Sequence, residues 1–190
     1  MTDTQFWDDR YRSGRAPWEF NGVPAEARRF IRDRPPGRVL IPGCGSSHDV
    51  AAFCRAGWQV TGIELSPAAI EIARATVGVH AGAIRLGDFF SAPLPADFDV
   101  LYERAFICAI EPSWWSNYVA RVHHLLVPDG LLAGYFYYGG DPEPPPYSLT
   151  PASAARLFGG RFRLEVDRPV TDSLPVYAGG ERWQEWRKLG

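Results

Sequence analysis

Short apolar runs alternate with helix-patterned segments along this chain, and that alternation limits the folds open to it. Residues 38–41, 58–63, 83–86, 98–102 and 131–138 read as strands. Between them, 24–34, 49–56, 66–76 and 114–126 read as helices. Pro24 suits a helical first turn, Ser66-Pro67 caps the third helix, and Pro35-Pro36-Gly37 and Gly57 act as stops. Strands that alternate with helices build crossover units and a parallel, doubly wound sheet. Pro128-Asp129-Gly130 reads as a turn, and 139–146 as a loop. A last helix at 150–158 precedes strands at 161–166 and 182–188, expected as an antiparallel pair. The expected fold is α/β: seven strands, mostly parallel, with an antiparallel closing strand. The 190 residues fit one domain, 1–190. A chain that long buries about 70% of its unfolded surface and needs no disulfides to fold.

Composition removes several function classes. Lys+Arg 20 against Asp+Glu 22 gives a net charge of −2, which argues against a nucleic-acid binder that relies on bulk positive charge. No stretch approaches 18 apolar residues, so no membrane span is expected. Met1–Arg10 has no basic start followed by an apolar run, so a cytoplasmic protein is the default expectation. The three cysteines, Cys44, Cys54 and Cys108, form no disulfide framework. His48, His80, His123 and His124 are not spaced with them like a zinc site, and no metal is expected. Aromatic content is 14%, with seven Trp. Phe6, Trp7, Tyr11, Trp18 and Phe20 precede the first strand, in a segment where Gly14, Pro17 and Gly22 break any long helix.

In a doubly wound sheet, ligands sit outside the carboxyl ends of the strands. Four strand ends carry suggestive residues. Gly43-Cys44-Gly45 lets a ligand approach the backbone, and alone it reads equally as a tight turn. Glu64, nineteen residues after Gly45, suits the two hydroxyls of a ribose, or a solvated helix cap. Asp88-Phe89 suits an adenine, or an ordinary turn. Arg104 ends the fourth strand, either facing the ligand or paired with a strand-end carboxylate such as Glu103 or Asp88. A pyrophosphate dinucleotide wants Gly-x-Gly-x-x-Gly, and here His48 takes the third glycine position. S-adenosylmethionine carries no phosphate and needs no such cradle. The residues favour this methyl donor, with an NAD-dependent oxidoreductase and a non-catalytic cofactor-binding module as alternatives.

With these residues in hand, the chain resembles the thiopurine S-methyltransferase family of class I methyltransferases, including its halide and thiol branch. The marks are Phe6-Trp7-x-x-Arg10-Tyr11-x-x-Gly14-x-x-Pro17-Trp18, Pro42-Gly43-Cys44-Gly45, Val60-x-Gly62-Ile63-Glu64, Tyr102-Glu103-Arg104-Ala105-x-x-x-Ala109-Ile110 and Pro145-Pro146-Tyr147. The resemblance implies a Rossmann-like sheet and an N-terminal aromatic lid over residues 1–22. It divides the remainder into a cofactor-binding half, 38–104, and an acceptor-side half, 105–190. The expected cofactor is S-adenosylmethionine, leaving as S-adenosylhomocysteine. Its expected contacts are Trp7, Tyr11, Trp18, Gly43, Cys44, Gly45, Asp49, Glu64, Leu65, Asp88, Phe89 and Arg104.

The expected reaction moves a methyl group to a small soft nucleophile, first of all a thiol, with a halide or chalcogen acceptor as the alternative. A thiol must ionise to react well, and a nearby cation lowers its pKa. Arg104 is the expected catalytic residue in that sense, since it stays protonated and is no base. The expected partner is a small-molecule acceptor, with no nucleic acid and no membrane, and the protein a monomer or weak homo-oligomer. His123-His124, late in a helix, read as structural, Cys108 as packed and Trp114-Trp115 as a helix anchor. Tyr138 and the loop to Tyr147 are candidates for reaching the acceptor pocket.

Overall fold

The computed structural model describes residues 4–140, 143–177 and 179–190. The expected lid at 1–22 and loop at 139–146 each include residues outside those described, namely 1–3 and 141–142. Seven strands form one sheet: β1 (Arg38–Pro42), β2 (Gln59–Glu64), β3 (Ile84–Leu86), β4 (Phe98–Arg104), β5 (Leu126–Tyr137), β6 (Phe162–Pro169) and β7 (Glu181–Lys188). Their order is β3-β2-β1-β4-β5-β7-β6. The first five are parallel to their neighbours, and β7 runs antiparallel between β5 and β6. Six helices accompany them: α1 (Thr4–Arg12), α2 (Ala25–Asp33), α3 (His48–Arg55), α4 (Pro67–Val77), α5 (Trp115–Leu125) and α6 (Pro151–Phe158). None is long and apolar enough to cross a membrane among the described residues.

The central strands carry mostly apolar residues in their middles because both faces are covered there. Successive side chains point to opposite faces. Leu40, Leu101, Leu132 and Phe136 therefore pack with Tyr118 and Val122 of α5 and Phe158 of α6. Val39, Ile41, Val100, Tyr102 and Tyr135 pack with Phe30 of α2, Phe53 of α3 and Ile70 of α4. Phe98 and Val100 share a parity yet face different layers, because the ladder to β5 shifts register between them.

One expectation needs correction. The turn at 128–130 lies inside β5, which leaves α5 directly at Leu126 and pairs it with Phe98. Asp129 is left-handed (φ 59) at this irregularity, so the turn chemistry is present while pairing continues around it. The N-terminal segment holds one short helix, α1, which ends before the breaker Gly14 (φ 67), and no long one. Tryptophan also builds the core: Trp58, Trp115, Trp183 and Trp186 are all buried.

Two carboxylates do local work beyond the reach of periodicity. Asp8 of α1 accepts from Ser66 Oγ (2.9 Å) and the Ala68 amide (2.8 Å), so it caps α4 from another helix. The Ala68 amide and the Arg12 guanidinium hold its carboxyl below the usual range. Glu103, fully buried, accepts from the amides of Phe106 (2.6 Å) and Ile107 (2.9 Å) and from Tyr118 Oη (2.7 Å). These bonds hold the chain through Ala105, a non-glycine residue at φ 61.

Burial nevertheless outweighs those donors and pushes the Glu103 carboxyl from 4.5 up to about 7. Between these values the folded protein keeps a proton that the unfolded chain has lost. Stability is therefore highest at the acidic end of this window and falls as pH rises from 4.5 to about 7. One such group sets a limiting slope of about 1.4 kcal/mol per pH unit. Glu103→Gln keeps the shape without the titration. Denaturant unfolding at several pH values across this window should give a visibly flatter stability profile for the variant; parallel profiles would exclude Glu103 as a source of the slope.

Candidate active-site cavity

The carboxyl ends of β1, β2 and β4 open into a cavity of about 650 Å³, roofed by the segment from Thr4 to Gly22. All twelve residues expected at the cofactor site line this one cavity. They arrive from five parts of the chain: the N-terminal segment, the turn after β1, and the ends of β2, β3 and β4.

The turn after β1 needs its glycines. Gly43 (φ 57) and Gly45 (φ 49) are both left-handed. A Cβ on Gly43 would stand 2.6 Å from the Phe106 ring, and one on Gly45 would collide with Glu19 and with Tyr11 Oη. Between them Cys44 faces Glu64, and burial, reinforced by that carboxylate, pushes its thiol well above the usual range. It is a packed thiol, not a nucleophile.

Glu64 is almost fully buried. Its carboxylate accepts from the amides of Gly45 (3.0 Å), Leu65 (2.8 Å) and Ser66 (2.9 Å). Burial raises its pKa, against the pull of these amides. Asp88 accepts from the Phe90 amide (2.9 Å) and Ser91 Oγ (3.1 Å), which is the turn-forming role weighed for it, performed at the cavity wall. Phe89 is buried against Phe106, with ring centroids 5.3 Å apart.

Arg104 is ion-paired, but neither with Glu103 nor with Asp88. Its Nη1 donates to Glu181 Oε1 at 2.6 Å, and Glu181 Oε2 accepts from Ser173 Oγ at 2.6 Å. The guanidinium also lies over the Tyr135 ring, 4.7 Å from its centroid. Burial works against its charge, but Glu181 and the neighbouring Tyr102, Tyr177 and Asp49 outweigh it and hold the pKa above the ordinary value. Beside it, burial pushes the Asp49 carboxyl up to about 7, with Arg104 pulling the other way. Asp49 Oδ1, Tyr102 Oη and Arg104 Nε are all buried without a hydrogen-bond partner.

The N-terminal segment closes over this floor through side chains. Trp7 and Trp18 meet edge to face at 5.1 Å, and Trp18 Nε1 donates to Tyr11 Oη (3.2 Å). Tyr11 donates to Glu19 Oε1 (2.5 Å), which also accepts from the Ser46 amide (3.1 Å). Ser46 Oγ donates to the other Glu19 oxygen.

On the acceptor side the expectations divide. Trp115 is an anchor, its Nε1 held by the carbonyls of Ile107 and Ile110. Trp114, expected beside it as an anchor, instead lines the cavity against Phe90. Tyr138 and Tyr147 do not line it, and Tyr138 Oη donates to Gln184. Pro145 and Pro146 do line it, joined by Val176 and Tyr177 from the segment before β7. Cys108 is buried as expected, yet borders the cavity. His123 reaches the Leu189 carbonyl, a structural role. Glu19, Glu181, Phe106 and Tyr177 were not foreseen. The only cue available was the chemistry of Glu19 directly after Pro17-Trp18.

These residues fit S-adenosylmethionine. The backbone of the Gly43–Gly45 turn lines the cavity directly, and Asp49 keeps an unpartnered acceptor beside it. The carboxylates of Glu64, Glu19 and Asp49 face the same cavity, which suits a ligand bearing an ammonium and a sulfonium.

Comparison with known proteins agrees. The chain matches the family described as Thiopurine S-methyltransferase (TPMT) over residues 2–186. Thiocyanate methyltransferase 1 of Brassica oleracea is 31% identical over 191 residues, covering 96% of this chain and 84% of that protein. Thiopurine S-methyltransferase of Vibrio vulnificus (strain YJ016) is 30% identical over 193 residues, covering 90% and 88%. The fold matches Burkholderia thailandensis 1,6-didemethyltoxoflavin-N1-methyltransferase, solved with 1,6-didemethyltoxoflavin and S-adenosylhomocysteine bound. The TM-score is 0.79 at 21% identity, over 98% of this chain and 87% of that one. A Rossmann-like sheet, a glycine turn followed by a buried strand-end acid, and a family match spanning nearly the whole sequence lead to one conclusion: this chain belongs to the thiopurine S-methyltransferase family of S-adenosylmethionine-dependent methyltransferases.

Proposed function

We propose that this protein methylates a small thiol, binding S-adenosylmethionine over the Gly43–Gly45 turn and the acceptor between that site and Arg104. The observation that carries this reading is the gathering of all twelve expected residues around one aromatic-walled cavity. Residues 1–22 act as the lid, 38–104 as the cofactor half and 105–190 as the acceptor half. The relatives' printed names, thiocyanate and thiopurine methyltransferases, support a soft nucleophile. A net charge of −2 supports a small-molecule partner over a nucleic acid. A cytoplasmic monomer or weak homo-oligomer completes the reading.

When bound, S-adenosylmethionine supplies a methyl group on a positively charged sulfur. Glu64 accepts from the ribose hydroxyls, and its three backbone donors fix where its oxygens point. Asp88 and Phe89 border the adenine. Gly43, Cys44, Gly45, Asp49 and Leu65 shape the floor beneath the amino-acid end. Trp7, Tyr11 and Trp18 cover it and keep water out. Anion and sulfonium lose charge together as they react, so a dry enclosure favours the step while it holds the partners in line. Arg104 sits where its field stabilises a thiolate over a thiol. Its pairing with Glu181 fixes its orientation and tempers that field.

Incubation with labelled S-adenosylmethionine and a panel of aryl thiols, simple thiols, iodide and thiocyanate tests the reaction. Transfer to thiols is expected, and a blank with every thiol overturns the acceptor assignment. Glu64→Gln should weaken S-adenosylhomocysteine binding by about tenfold in calorimetry, or ~1.4 kcal/mol. An unchanged affinity removes Glu64 from the ribose role. Arg104→Ala should lower kcat by roughly 100-fold, about 2.7 kcal/mol of transition-state stabilisation, with a much smaller effect on cofactor affinity. The reverse pattern would make Arg104 chiefly a cofactor contact.

A further inference from the structure

We propose that Glu19 selects the cofactor: its carboxylate occupies the amide-rich turn where a phosphate would otherwise bind, barring phosphorylated nucleotides while pairing with the ammonium of the cofactor's amino-acid end. The inference rests on the cofactor reading above and adds a residue to it.

A glycine turn leading into a helix presents free backbone amides, and in dinucleotide folds these hold the pyrophosphate. Here the turn runs from Gly43 into α3. Its two central amides are already taken by carboxylates of this chain. Gly45 N donates to Glu64 at 3.0 Å, and Ser46 N donates to Glu19 at 3.1 Å. Ser46 Oγ donates to the second Glu19 oxygen. The space beside Gly45, open because no Cβ is present, is filled by the Glu19 carboxylate and Tyr11 Oη.

An incoming phosphate would thus lose the Gly45 and Ser46 donors and meet negative charge at contact distance. Like charges a few ångströms apart in a partly buried site repel, and less water lies between them to screen the repulsion. A ligand carrying an ammonium meets the opposite field. Glu19 is close enough to Glu64 and Asp49 to disfavour their ionisation, so its charge reaches the cavity floor. The missing third glycine is one barrier to a dinucleotide; this side chain, reaching in from the N-terminal segment, is a second and independent one.

Glu19→Gln removes the charge and keeps the size and the acceptor for Ser46 N. Calorimetry with two probes, S-adenosylhomocysteine and ADP, reads the effect. Wild type should bind the first and bind ADP very weakly. In E19Q the first should weaken and ADP strengthen, each by about tenfold, so their affinity ratio moves by about 100-fold. Ser46→Ala, which loosens the same contact without changing charge, should leave the ratio within about threefold of wild type. Glu19→Ser repeats the charge loss with a smaller side chain. The inference is overturned if both affinities fall together, if the ratio stays put in E19Q and E19S, or if S46A shifts it as far as E19Q does. Wild type that fails to bind S-adenosylhomocysteine overturns the cofactor reading, and this inference with it. Wild type that binds it normally while the variants keep its selectivity overturns this inference alone.

Discussion

Loops at the carboxyl end of a parallel sheet leave backbone amides without ladder partners, and buried amides must find acceptors. In this protein carboxylates supply many of them. Glu64 takes three amides across two turns, Glu103 takes two after β4, Asp8 takes one at the start of α4, and Glu19 takes one after Gly45. Glu64, Glu103 and Glu19 thereby fix segments of the cavity wall. The cost is a concentration of negative charge at one end of the molecule, some of it deeply buried. Burial raises the carboxyls of Glu64, Glu103 and Asp49 accordingly. The same acids that hold the loops in place therefore set the electrostatic character of the site, and a cationic ligand is what that character favours.

Arg104 shows how this limits the chemistry. A cation meant to stabilise a thiolate is most effective when nothing else neutralises it. Glu181 already does so, at 2.6 Å, and both side chains are nearly inaccessible. A buried pair of this kind is weak as a source of stability, because desolvation offsets most of the attraction. Its use here is geometric. The pair joins β4 to β7, with Ser173 and the Tyr135 ring on either side, so the guanidinium has one place to be. On the proposed reading Arg104 would act through direction as much as charge, because its pairing holds the guanidinium in place at the cavity wall.

What was legible in the sequence follows from which signals are local. Short apolar runs mark the central strands, since β1, β4 and β5 are covered on both faces for most of their length. Glycines at 43 and 45 were legible because only they fit the left-handed turn. Pairings were not. Glu19 meets a turn 27 residues away and Arg104 a carboxylate 77 away, and neither periodicity nor composition carries that information. The guess that Arg104 pairs with Glu103 or Asp88 chose neighbours in sequence or strand order. The true partner lies on the antiparallel strand, which topology brings across from the chain's end. Trp114 and Trp115 diverge for a simpler reason. Neighbours at a helix start point about 100° apart, so one turned into the core and the other toward the cavity.

The N-terminal segment is where these arguments meet. A nine-residue helix such as α1 is too short to be stable alone, so its position must come from docking. Tyr11 packs on Ala68 and Ala69 of α4, Asp8 caps that helix, and Glu19 reaches the glycine turn. Of these anchors, Tyr11 and Glu19 line the cavity itself. The Trp7, Tyr11 and Trp18 rings are then fixed by the same contacts that complete the floor. Forming the roof and forming the binding site are consequently one event: whatever fills the cavity and contacts both sides stabilises the docked segment, and whatever loosens the docking weakens binding by linkage.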